Sequence, residues 1–263
     1  EPGDQRLRWF HKELLDYLNR LDDMSTFLDE LENRKNEIVS EASEKAREYL
    51  PKLARIEADI YLVIGGSDAY GVNLLDTRAI VMNVGLFVFQ AEEMVAMMAH
   101  ELHHKAENRS REIYWRFHRN GPKNLERVYE IVSELIGEGI ATLVTFPFGL
   151  AHKYFVIKEK ISDEYKKVED GIQEVYQNTT DERAKEIFTS LYAHAGPLYM
   201  VGCDMAKKIE DTLGKEELIV AAQEPLLFFQ TYKKAVNKSG EGYEFSINTI
   251  EIIQKLQEKI NLM

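Results

Sequence analysis

The chain has 263 residues, 44% of them hydrophobic and 30% charged, which is enough apolar material for a packed core and too much for a disordered chain. Its formal net charge of -12 repels phosphate backbones, so no nucleic-acid partner is expected. The single cysteine, Cys203, excludes an intramolecular disulfide and a thiolate-rich metal cage, and no apolar run reaches the length of a membrane span.

From Asp4 to Leu50 apolar residues recur at helical spacing, through Leu7, Phe10, Leu14, Leu18 and Leu21 to Phe27, Leu28 and Leu31, with a break expected at Asp22–Ser25 and a stop at Pro51. The texture then changes. Asp59–Ile64 reads as a strand closed by Gly65-Gly66, and Arg78–Val84 as a second strand closed by Gly85. Glu92 to Glu107 returns to helical spacing, with Met94 and Met98 on its core side. Lys105–Arg127 is basic and reads as a solvated face, with a turn at Asn120-Gly121-Pro122. Val128–Val144 is an apolar helix ended by Thr145-Phe-Pro147. The charged stretch Lys158–Asp181 predicts a solvated helix pair, and Ala193–Leu213 and Glu216–Val236 read as helices separated by Gly214. The expected class is α+β, predominantly helical, with a small sheet beside a long helix. Three regions are expected, 1–55, 56–150 and 151–263, joined in one unit. The first residue is Glu1 rather than Met, which fits a trimmed precursor and favours an exported location.

The string that carries chemistry is His100-Glu101-Leu102-His103-His104, inside the helix predicted after the second strand. Residues four apart on a helix share a face, about 6 Å apart along the axis. Two imidazoles so placed can aim one nitrogen each at a common zinc ion, while Glu101 beside them is placed to take a proton from water. His103 reads as an outward or supporting neighbour, and His118 and His152 as bystanders without partners. A third ligand is needed. Glu138, flanked by Gly137 and Gly139 in an apolar stretch, is the candidate, because a carboxylate there is costly unless a cation compensates it. The glycines suggest close approach of a neighbouring helix or the metal. Glu134, one turn earlier, is the rival. Cys203 reads as a small buried residue.

His100-Glu101-x-x-His104 followed by Glu138-Gly139-x-Ala141 resembles the gluzincin metallopeptidases. The resemblance implies a zincin-like core over roughly 56–148, one Zn2+ ion on His100, His104 and Glu138, Glu101 as general base, and a peptide or protein substrate. It also implies an oxyanion donor from the region after the zinc helices, for which Tyr199 comes first, then His194 and Tyr192. A substrate strand would pair with Ala79–Val84 or its neighbour Tyr70–Asn73. Two features depart from the thermolysin-like pattern: 34 residues separate His104 from Glu138, and Thr142 stands where those enzymes carry an aspartate. The stretch Gly196-Pro-Leu-Tyr199-Met-Val-Gly202-Cys-Asp-Met205-Ala206 is similar to bacterial families described as zinc-dependent peptidases. The alternatives are a zinc-bearing binding protein without turnover and a zinc hydrolase of a non-peptide amide or ester. Intact Glu101 favours turnover.

Overall fold

The computed structural model describes residues 12, 14–66, 69–74, 77–106, 109–177 and 179–263. Leu7 and Phe10, which open the first predicted helix, lie outside them. The described residues divide into two units, one holding the chain up to Arg47 together with Arg55–Ala106, the other holding Glu48–Ala54 and the chain after Ala106.

In the first unit the chain is helical over 14–19, turns at Arg20, and continues as α1 (Leu21–Arg47). The break therefore falls before Asp22, not within Asp22–Ser25. Asp22 and Asp23 occupy the first turn of α1, where the helix dipole favours acids. Met24, Phe27, Leu31 and Ile38 form its buried face. Three strands follow: β1 (Asp59–Val63), β2 (Ala69–Leu74) and β3 (Thr77–Asn83). Their order is β1-β3-β2, with β1 parallel and β2 antiparallel to β3. The two predicted strands correspond to β1 and β3. β2 escaped that pattern because Gly71 and Asn73 are poor strand formers. Ile80 and Met82 on β3 are fully buried, and the sheet and α1 both pack on α2 (Ala91–Ala106).

The second unit is helical. It contains α3 (Arg109–Asn120), α4 (Lys123–Val144), α5 (Ala151–Ile157), α6 (Ile161–Tyr176), α7 (Asp181–Tyr192), α8 (Pro197–Leu213), α9 (Lys215–Ala221), α10 (Pro225–Ser239) and α11 (Ile247–Asn261). The basic segment expected as a solvated face thus forms α3, the turn at Gly121-Pro122 and the start of α4, and Phe117 on α3 is fully buried. The charged stretch Lys158–Asp181 is likewise not a solvated pair. It holds one amphipathic helix, α6, whose Tyr165, Val168, Ile172 and Val175 are buried at helical spacing. Pro225 divides the predicted Glu216–Val236 helix into α9 and α10, since proline cannot donate within a continuing helix.

α4 and α8 form the axis of this unit. Val128, Val132 and Leu135 on α4 join Leu198, Val201 and Met205 on α8, Phe228 and Phe229 on α10, and Ile253 and Leu256 on α11 in one core. Where α4 meets α8, main chain meets main chain. A β-carbon on Gly139 would overlap the Gly202 backbone, and one on Gly202 would overlap the carbonyl oxygen of Leu135. Only glycine fits either position. Among the described residues, no helix is long and apolar enough to cross a membrane.

Candidate metal centre

α2 begins with Glu92 and Glu93 and ends with His103, His104 and Lys105, a charge order that suits the helix dipole. Met94, Val95, Met98 and Leu102 bury its core side. Its C-terminal end is tied to the sheet, with Arg78 of β3 donating to the Lys105 carbonyl at 2.9 Å. On this anchored last stretch the Nε2 atoms of His100 and His104 stand 3.1 Å apart, their ring centroids separated by 4.7 Å. Two nitrogens held at about 2.0–2.1 Å by one tetrahedral zinc stand roughly 3.3 Å apart, so the pair fits that ion. His103 does not face outward; it is buried, its ring centroid 6.2 Å from that of His104.

Glu101 is 8% exposed and faces β2. A β-carbon on Gly71 would stand 3.4 Å from its Oε2 and 2.6 Å from Nζ of Lys105. Lys105 in turn donates to the carbonyl of Val72 at 3.1 Å. The lysine side chain therefore fills the place that a residue larger than glycine would take on β2. This latch was missed in sequence, where Lys105 counted only as one charge in a basic run. The available signals were a glycine inside a strand-like stretch and a lysine four residues after a glutamate on a helix. β3 is paired on both sides, so the expectation that Ala79–Val84 pairs with a substrate is wrong, whereas β2 lies at the sheet edge.

In the second unit Glu138 on α4 is 5% exposed. The backbone contact of Gly139 with Gly202 brings α8 against α4 one residue later, and Tyr199 lies one turn before Gly202. The Tyr192 hydroxyl donates to Glu138 Oε1 at 3.1 Å, and the Tyr192 and Tyr199 rings stand 5.4 Å apart. Burial, and next the charge of Glu138, push the Tyr192 phenol well above its ordinary value. Burial, then Glu138, then the Tyr192 hydroxyl do the same to Tyr199. Both phenols therefore remain hydrogen-bond donors at neutral pH. His194 is exposed on the turn between them, where it and Ala195 adopt left-handed φ values of 57° and 49°. Lys153 of α5 donates to the His194 carbonyl.

His100 and His104 of the first unit, and Glu138 of the second, are each of a residue type that ligates metal ions, and Glu138 is buried within its own unit. Thr142, fully buried one turn after Glu138, has a hydroxyl with no hydrogen-bond partner among the described residues, so it does not reproduce the support an aspartate would give there. His118, expected to lack partners, has its Nδ1 3.0 Å from Oε1 of the buried Glu126, which also receives Lys123 Nζ at 3.1 Å.

No curated protein and no solved structure matches the chain. A family match covers residues 2–241, a span that includes both histidines, Glu101, Glu138 and both tyrosines. The chain belongs to the family described as putative zinc dependent peptidase (DUF5700).

Proposed function

We propose that this protein is a gluzincin-type zinc peptidase in which His100, His104 and Glu138 hold one zinc ion and Glu101 is the general base. The observation that carries the reading is the His100 and His104 Nε2 pair, 3.1 Å apart on one helix face, with Glu101 beside the first histidine; the buried Glu138 of the helical unit supplies the carboxylate. Two imidazoles and a carboxylate are a donor set that suits zinc. When bound, the ion would lower the pKa of a water from about 15.7 toward about 7.

Glu101 accepts the proton of the attacking water as its oxygen bonds to the scissile carbonyl carbon, and returns that proton to the amine as the C–N bond breaks. Its low exposure keeps competing water away from the carboxylate. The Tyr199 hydroxyl donates to the developing oxyanion, a role for which the exposed His194 is less suited. The outer edge of β2, held to α2 by Lys105, offers its backbone groups to an extended peptide.

Elemental analysis and peptide-library cleavage test the assignment together. His100→Ala and His104→Ala lose bound zinc, whereas Glu101→Gln keeps one equivalent and loses turnover by about 10²–10⁴-fold. A full equivalent of zinc in either histidine variant, or undiminished cleavage by Glu101→Gln, refutes it.

A further inference from the structure

Both tyrosines border Glu138 and both phenols feel its charge, but the two are held differently, and that difference separates their roles. Tyr192 closes α7 and directs its hydroxyl to Oε1 of Glu138 at 3.1 Å. Its ring is stacked on Phe188 of the same helix, at 5.4 Å between centroids and 14° between planes. The ring therefore has little freedom to leave the carboxylate. Tyr199 stands on the first turns of α8, the helix whose backbone is locked against α4 at Gly202. Between the two tyrosines the chain passes through consecutive left-handed residues, His194 and Ala195, a conformation that costs free energy in non-glycine residues and persists only where its surroundings enforce it. The Lys153 hydrogen bond to the His194 carbonyl is one such constraint.

We infer that Tyr192 is a positioning residue for the metal ligand Glu138: its hydroxyl holds the carboxylate in one rotamer, leaving Tyr199 as the phenol for the reacting carbonyl. This rests on the reading of Glu138 as a zinc ligand. A carboxylate that must bind a cation through one oxygen gains affinity when a fixed donor restricts it beforehand, since less rotamer freedom is lost on binding. A tyrosine supplies that donor without the charge by which a lysine or arginine would compete with the cation.

The test is zinc affinity, measured by competition with a chromophoric chelator on the full chain, alongside circular dichroism and turnover. Tyr192→Phe keeps the ring and its stacking on Phe188 and removes only the hydroxyl. It is expected to weaken zinc binding by about 10–100-fold with unchanged helix content. Tyr199→Phe is expected to leave zinc affinity within about threefold of the wild type and to lower turnover. A cobalt-substituted sample adds a readout that a merely structural role would not move: the visible cobalt spectrum shifts in Tyr192→Phe and stays as wild type in Tyr199→Phe. Wild-type zinc affinity and an unshifted cobalt spectrum in Tyr192→Phe overturn the inference while leaving the peptidase reading intact, provided Glu138→Gln binds zinc weakly. If Glu138→Gln binds zinc as tightly as the wild type, the ligand assignment itself fails, and the inference with it.

Discussion

A carboxylate takes its character from what surrounds it, and Glu169 on α6 shows how far this goes outside the candidate site. Burial alone would raise its pKa, but donors from Tyr243 Oη at 2.6 Å, Ser246 N at 2.7 Å and Thr249 Oγ1 at 2.8 Å outweigh that and hold it below its ordinary value of 4.5. A carboxyl whose pKa is lower in the folded than in the unfolded chain stabilises the fold above the unfolded value and loses that effect as the pH falls through the folded value. Glu169→Gln is therefore expected to lower stability by about 1–3 kcal/mol at pH 7. In urea titrations at a series of pH values the gap to the wild type should narrow below about pH 4.5; a gap that stays constant to pH 3 contradicts the assignment. Nothing in the sequence marks Glu169, because its donors lie 74 to 80 positions away. The residues of the candidate site are the opposite case. His100, Glu101 and His104 are legible because one helical turn sets their geometry, and Glu138 because a charge between two glycines in an apolar run needs a reason. The burial of His103 and the reach of Lys105 to β2 depend on what packs against α2, which periodicity does not encode.

Among the elements, α4 and α8 show a different dependence, on the absence of side chains. Gly202→Ala would drive a methyl into the Leu135 carbonyl and the Gly139 backbone, neither of which is a flexible group that can swing aside. The expected cost is about 1–3 kcal/mol or more, read from the urea midpoint, with a loss of turnover at temperatures where the variant is still folded. Unchanged stability and turnover would mean that the helices do not depend on this contact. The sequence signals close approach at Gly139 but not its partner, since Gly202 reads as one small residue among several in α8. The same limit explains β2. A strand containing Gly71 and Asn73 has weak local preference, and pairing with β3 is what makes it a strand.

For the molecule as a whole, composition and periodicity are enough to foresee a predominantly helical α+β chain with a small sheet against the helix of the two histidines. They do not foresee that the charged stretches carry buried faces: α6 packs Tyr165 and Ile172 into the core while presenting Lys166 and Asp170 to water. The lone thiol offers a probe of the helical unit. Cys203 is fully buried, and burial first, then the Asp204 charge, raise its pKa well above the ordinary value. A thiol held neutral and enclosed does not react. A disulfide reagent should label no thiol in the native protein at pH 8 and one after denaturation; prompt labelling of the native form contradicts the packing around α8.

The contact of Gly139 with Gly202 also bears on how such a protein diversifies. Glu138 and Tyr199 sit within a turn of that crossing, so their spacing is set by main chain touching main chain and not by the bulk of neighbouring residues. Exchanges among the leucines and isoleucines of the surrounding core are then expected to leave the separation of acid and phenol unchanged.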